Sequence, residues 1–375
     1  MPRFSALILC LATAVAGAAA TGPTTAPSLA QQKDQDRRWL ENQWQAMPFL
    51  PPQGIEQVLR FAVVNDRLAI DSPLYNGKAL KDRVALSDLP GEAMVHIIPS
   101  QVRGSYYLFF ELFDFSPPDL VNRHFFIIST PDIVEVKEDF ALVDRTQSVT
   151  LHESLTPGTA LPITLRIQIF PEKSDQVSSV NLALSAASLS DLRRQNAEEV
   201  QRYLRPMLRD LQQEPSAMAV EDKMGWQVLA DTWSPPPGLA ARVQDLVGRL
   251  GAEDYATRAK AQQQLEQMGQ PAALYLMTIK RSGLSAEQSA RVEKFLDPYR
   301  PLGEAPIAFF RRDVNFLLDC LYSDDVELRQ SALEHLRRIG HDVPWNNDQS
   351  RTQRIAAIAR LRRQLSAGAT RGSGD

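Results

Sequence analysis

Cysteine is nearly absent: the 375 residues hold two, Cys10 and Cys320. Cys10 lies in the one long apolar run, near the N-terminus. If that run is removed as a leader, Cys320 has no partner, so no internal disulfide staples the fold and packing must hold it. With Phe316, Leu317 and Leu321 as helical neighbours, Cys320 reads as a small buried hydrophobe rather than a reactive thiol. Histidine is sparse as well, and the five residues His96, His124, His152, His335 and His341 show no ligand spacing. There is no G-x-S-x-G, no S-x-x-K and no C-x-x-C, which removes the nucleophile elbow, the serine-lysine pair and the paired-thiol sites. His152-Glu153 opens like a zinc helix, but Thr156 stands where the second histidine is required. Asn76-Gly77-Lys78 ends like a phosphate loop, yet Ser72 takes the first glycine position and Ala79 replaces the Mg²⁺-binding hydroxyl. Charge of one sign is lacking too. Lys and Arg total 41 against 45 Asp and Glu; residues 239–375 hold 20 and 17, the remainder 21 and 28. Neither part demands nucleic acid. These absences leave no residue assigned as catalytic, cofactor-binding or metal-ligating, and no cofactor is expected.

What is present begins with Arg3, an apolar stretch over 4–16 and the small residues Gly17-Ala18-Ala19-Ala20. That order reads as a secretory signal peptide over 1–20, cleaved near Ala18 or Ala20, and implies an exported chain, periplasmic or secreted, with no membrane span once mature. Residues 21–54 read as a spacer and short helix: 21–32 lack periodicity, and 33–47 carry Trp39, Leu40 and Trp44 on one helical stripe that Pro48 ends.

From 55 to 187 the period switches to alternation. Expected strands are 58–64, 67–70, 94–98, 106–115, 124–129, 133–137, 140–143, 148–152, 163–170 and 177–184, punctuated by Asn65-Asp66, Asn76-Gly77, Pro90-Gly91, Pro117-Pro118 and Pro157-Gly158. Many short strands with turn residues between them argue for an antiparallel β-sandwich or barrel-like domain. The run Tyr106-Tyr107-Leu108-Phe109-Phe110 is apolar on both faces, as a covered central strand or an exposed ligand platform would be. Helices follow over 188–233, opened by Ser188 and Asp191 at capping-box spacing, and Pro235-Pro236-Pro237 within 234–238 marks a linker and domain boundary.

Beyond it the chain repeats itself. Under a constant offset of 71 positions and without gaps, Leu246 meets Leu317, Leu250 meets Leu321, Asp254 meets Asp325, Arg258 meets Arg329, Ala261 meets Ala332 and Gly269 meets Gly340. Each copy predicts two helices joined by a turn, with the aspartate as N-cap, the arginine reaching back to it at i,i+4, and the glycine as the stop. The pattern L-x-x-x-D-x-x-x-R-x-x-A-x-x-x-L-x-x-x-G resembles the HEAT-like α-helical repeat family. That resemblance implies a stacked helical surface over 239–365 that binds a protein partner. The period exceeds the ~40–47 residues of one such repeat, so 271–281 and 285–296 must add helices between the copies. Arg351, Arg354, Arg360, Arg362 and Arg363 oppose Ile355, Ile358, Leu361 and Leu365, as in a terminal capping helix, and 366–375 reads as a disordered tail.

The fold class expected is therefore multidomain α+β: an N-terminal antiparallel β-sandwich or barrel-like domain with associated helices, then a C-terminal all-α HEAT-like solenoid. The function expected is an exported, non-catalytic binding or scaffold protein acting through the helical surface. The alternative is an envelope hydrolase or glycan-binding protein with its site in the β domain. A hydrolase would need His96, His124, His152, Glu111 and Asp114 to converge.

Overall fold

The computed structural model describes residues 28–101, 105–118, 120–142, 145–171 and 179–371. The expected leader lies outside these residues, as does most of the expected spacer. The first helix, Leu29–Trp44, starts earlier than its aromatic stripe implies. Ser28 Oγ accepts the Gln31 N–H while Gln31 Oε1 accepts the Ser28 N–H, a reciprocal cap that satisfies the helix start. Among the described residues eleven strands follow: β1 Phe49–Gln53, β2 Arg60–Val64, β3 Arg67–Asp71, β4 Leu80–Leu86, β5 Glu92–Pro99, β6 Tyr106–Asp114, β7 Leu120–Ser129, β8 Ile133–Leu142, β9 Arg145–Ser154, β10 Ile163–Pro171 and β11 Val180–Ala186.

Nine of them form one sheet in the order β1-β4-β5-β6-β7-β8-β9-β10-β11, a meander in which only the β1–β4 pair is parallel. The remaining two, β2 and β3, make a separate hairpin. The N-terminal part is thus a large, mostly antiparallel sheet, with the hairpin packed into the same core as its buried face. Alternation explains that face: Ala93, Val95 and Ile97 of β5 and Leu108, Phe110 and Leu112 of β6 are buried, and their neighbours in sequence point the other way. Phe61, Leu68 and Ile70 of the hairpin and Leu192, Val200, Leu204, Met207, Leu208 and Leu211 of the following helices fill the space above it. At Gly91, φ is +105° and a Cβ would fall 2.1 Å from the Phe113 carbonyl oxygen, so only glycine fits between β4 and β6 there.

The helical run that Ser188 opens is interrupted. Leu189–Gln195 ends at Asn196, and the next helical run loosens to π-winding over Val200–Leu204, just before Pro206, which has no N–H to return to the preceding turn. The hydrophobic core changes between Met218 and Val220: everything through Met218 packs on the sheet, while Val220, Met224, Trp226, Val228 and Leu229 pack on the C-terminal helices. That change precedes the Pro-rich segment.

The C-terminal part is helical. The two copies adopt the same helix–turn–helix, Leu239–Arg249 with Tyr255–Met268 and Val314–Cys320 with Val326–Arg338. Asp254 accepts the Thr257 N–H and Asp325 accepts those of Glu327 and Leu328. Leu250, Ala261 and Leu265, and likewise Leu321, Ala332 and Leu336, are buried. Gly269 and Gly340 have positive φ, 60° and 92°. One expectation is corrected. The arginines do not reach their aspartates: Arg258 Nη1 donates to the carbonyls of Ala252 (2.8 Å) and Glu253 (2.6 Å), and Arg329 Nη1 donates to that of Ser323 (2.8 Å). Ala252 and Ser323 are equivalent positions under the offset. One oxygen of each cap carboxylate is occupied by backbone N–H groups, and Asp325 Oδ2 accepts the Trp226 indole N–H, whereas the turn leaves carbonyls that a guanidinium can satisfy.

Between the copies lie Gln270–Thr278, Ala286–Leu296 and Glu304–Phe310. The last helix, Arg351–Arg371, continues past Leu365 into the segment expected as tail. Among the described residues, no helix is long and apolar enough to cross a membrane.

Candidate functional site: a cleft between hairpin and helical half

The hairpin turns at Asn65-Asp66, both with positive φ (53° and 60°), the conformation a two-residue hairpin turn requires. Its backbone is tied to the rest of the protein by side chains. The Glu221 carboxylate accepts the N–H groups of Asn65 (3.0 Å) and Asp66 (2.8 Å), Lys223 Nζ donates to Asn65 Oδ1 (3.0 Å), and Glu153 Oε2 accepts the Leu68 N–H (2.9 Å). Asp66 Oδ1 in turn accepts the Ser190 N–H and hydroxyl; burial pushes its carboxyl above the usual range, against those bonds and Arg193.

Beside this hairpin a cleft of about 590 Å³ opens between the two parts of the molecule. One lip is Phe61, Ala62 and Val63 of β2, the floor runs from Pro215 to Lys223, and the far wall is Tyr322, Ser323 and Asp324 with Arg351, Arg354 and Ile355 of the last helix. The β2 lip is an open strand edge. Among the described residues β2 pairs only with β3, and the Phe61 N–H turns away from β3 to donate to Gln213 Oε1 (3.1 Å). Backbone groups two residues apart point to the same side of a strand, so the Val63 N–H and C=O face that side too.

Both signs of charge line the cleft. Lys223 stands 3.6 Å from Glu221, Arg354 pairs with Asp324, and Asp222 Oδ1 accepts the Ser323 hydroxyl (2.6 Å). Arg351 is exposed and donates to Ser216 Oγ at 3.4 Å; among the described residues it has no carboxylate partner. Burial pushes the Tyr322 phenol up to about 12, so it stays protonated as a donor. The wall residues carry a signal that was present in the repeat. Tyr322, Ser323 and Asp324 are the turn of the second copy, where the first has Gly251, Ala252 and Glu253. Matched residues build the turn; unmatched ones face the cleft.

The residues named for a hydrolase lie elsewhere. His96, His124, His152 and Glu111 all fall on the sheet face opposite the core, His96 level with Phe109 and Glu135 level with His152. They do not meet. His96 is on β5 and His152 on β9, four strands or about 19 Å apart at ~4.8 Å per strand. His152 Nδ1 lies 3.2 Å from Glu135 Oε2. His124 stacks on Phe113, ring centroids 4.1 Å apart and 15° from parallel, and burial lowers its imidazole to about 4, opposed by Asp139. Burial also lowers His96, helped by Lys81, and raises Glu111, which is level with Met94 and Phe126. Asp114 points to neither: Oδ1 accepts the N–H (2.8 Å) and hydroxyl (2.5 Å) of Ser116, closing the turn after β6. On this aromatic strand Leu108 and Phe110 are covered by the core, Phe109 is half-buried and Tyr107 is 37% exposed. The helix Leu29–Trp44 covers one end of the face, with Leu40 and Trp44 against Phe113 and Lys33 Nζ donating to the Phe115 carbonyl (3.1 Å).

Among the described residues, no group of three or more His, Cys, Asp and Glu side chains is placed to hold a metal ion. Cys320 is buried, and burial raises its thiol well above its ordinary value. No protein-family model matches this chain, and neither a curated protein nor a solved structure does.

Proposed function

We propose that the chain is an exported, non-catalytic binding protein that seats an extended segment of a protein partner in the cleft. The HEAT-like helical half supplies one wall and the β2 edge supplies backbone hydrogen bonds. The observation that carries this reading is the orientation of Val63, whose N–H and C=O face away from β3 along a lip of the cleft. An extended polypeptide satisfies such an edge by strand addition, and its side chains would meet Arg351 and the paired charges on the far wall. A small apolar ligand would leave the edge unpaired and Arg351 without a carboxylate. The separation of His96, His124 and His152 on a different face favours this binding role over hydrolysis, and the half-buried state of Phe109 favours it over a glycan platform.

Selection of a displayed random-peptide library on the purified protein tests the reading. Enriched peptides are expected to bind the wild type and to lose affinity on Val63→Pro. Proline removes an N–H that the hairpin itself does not use and is tolerated on a strand edge. Losing one backbone bond worth about 1 kcal/mol should cost about fivefold in Kd. Peptides that bound V63P as tightly as the wild type, with the hairpin intact by circular dichroism, would sink the proposal.

A further inference from the structure

The nine-stranded sheet is open, and its two edges are unlike. At one end β1 contains Pro51 and Pro52, which have no N–H to offer a neighbouring strand. At the other end β11 reads Val180-Asn181-Leu182-Ala183-Leu184-Ser185-Ala186, with no charge, no proline and no glycine. Its pairing with β10 runs through seven consecutive residue pairs without a bulge. No described strand lies on its other side. Natural edge strands are usually blunted by charge, proline, bulges or shortness; β11 uses none of these devices.

The strand is also a near palindrome about Ala183. Leucine stands on either side of it, then Asn181 and Ser185, then Val180 and Ala186. The two faces agree with the symmetry: Leu182 and Leu184 pack on the core and Ala186 is buried, while Asn181, Ala183 and Ser185 are exposed. We infer that β11 pairs with β11 of a second copy of this chain, antiparallel about a two-fold axis through Ala183, joining two sheets into one. In that register Leu182 opposes Leu184 twice on the core face, Asn181 opposes Ser185 twice on the wet face, and Val180, 40% exposed in the single chain, opposes Ala186. An isologous contact requires such self-complementarity. A one-residue slip would set the core face of one copy against the wet face of the other. The inference does not depend on the cleft, whose residues lie on other elements.

The test uses the full chain with Cys10→Ser, which leaves the buried Cys320 as its sole thiol. Sedimentation at about 100 µM is expected to show a dimer, and Ala183→Lys, which sets two ammonium groups against each other at the axis, should weaken it about fivefold. Ala183→Cys should cross-link to itself on mild oxidation, because opposed Cβ atoms lie about 4.5–5.5 Å apart. Asn181→Cys should not, since its own copy is four residues or about 13 Å away along the strand, whereas Asn181→Cys with Ser185→Cys should. All these positions are exposed or at the edge, so the monomer fold, followed by circular dichroism, is expected to persist. A monomeric wild type, a dimer indifferent to A183K, or equal cross-linking of A183C and N181C would each overturn the inference.

Discussion

His124 shows how one side chain ties stability to pH. It lies between Phe113 on β6 and Asp139 on β8, and its stacking on the Phe113 ring removes it from water. Burial lowers the imidazole from 6.5 to about 4; Asp139 opposes the shift and Lys137 reinforces it. The sign follows from where the protons go. Above 6.5 neither folded nor unfolded chain is protonated at this site, and its full contribution is present. As pH falls from 6.5 toward 4, the unfolded chain takes up a proton that the folded chain refuses, so stability is lost across that window. The loss should be on the order of 2 kcal/mol, because each pH unit between the two values is worth about 1.36 kcal/mol and the ring is only partly enclosed. His335 shifts in the same direction, and Glu111 and Asp66 in the opposite one, so the effect must be read as a difference. Urea midpoints of wild type and His124→Gln, measured from pH 7.5 to 4.5, are expected to converge as pH falls. Parallel curves would show that His124 takes up its proton alike in the folded and unfolded chain.

At the scale of elements, the repeat reveals which parts of this fold a sequence can display. The apolar stripe, the aspartate cap and the glycine stop were legible because each follows from local helix geometry, and Leu250, Asp325 and Gly340 take those roles. The arginine was legible as a feature shared by the two copies but not in its role, because its partners are turn carbonyls whose direction depends on how the turn closes. Strands were legible where alternation was clean, as in 163–170, and were missed where charge interrupted it. Leu80–Leu86 carries Lys81, Asp82 and Arg83, and Glu138 divided the reading of β8 although it is buried 3.4 Å from Arg123. The separation of the hairpin from the main sheet depends on Glu153 and Glu221, both distant in sequence, and no local pattern announces them. The clamp predicts a difference between the copies. Arg329 is 2% exposed and Arg258 is partly exposed, so water can replace the second guanidinium but not the first. Arg329→Ala is expected to cost about 2–4 kcal/mol and Arg258→Ala about 1 kcal/mol in chemical denaturation. Equal losses would mean that the carbonyls in both turns are equally open to water.

At the scale of the whole molecule, the two cores are joined by a buried ionic cluster whose centre comes from an unmatched position of the repeat. Asp319 stands where the first copy has Gly248. It is fully buried, accepts from Arg205 Nη1 at 3.1 Å, pairs also with Arg205 Nη2 and with Arg362, and lies 4.0 Å from Arg193. Glu214 completes the cluster, 3.1 Å from Arg205 and 3.7 Å from Arg362. Arg193, Arg205 and Glu214 belong to the helices packed on the sheet, and Asp319 and Arg362 to the C-terminal helices, so the cluster spans the boundary between Met218 and Val220. Although burial opposes it, the three arginines hold the Asp319 carboxyl below its ordinary value, so it is ionised at neutral pH. Three buried guanidinium groups, with the exposed Arg209 as a fourth 2.9 Å from Glu214, already face two carboxylates. Removing one leaves three buried cations on a single acid, and a buried charge without compensation costs about 3–5 kcal/mol. Asp319→Asn keeps the shape and removes the charge, and is expected to reproduce most of that loss. Because the cluster is a buried link between the two cores, beside the bonds of Glu221 and Lys223 to the hairpin, the loss should appear at the junction first. In hydrogen exchange, the wild-type amides of β5–β9 and of the helix Val326–Arg338 are expected to open together, and in Asp319→Asn the helical amides should open at lower free energy than those of the sheet. Unchanged protection in both parts would show that apolar packing alone couples them and that the cluster is merely tolerated.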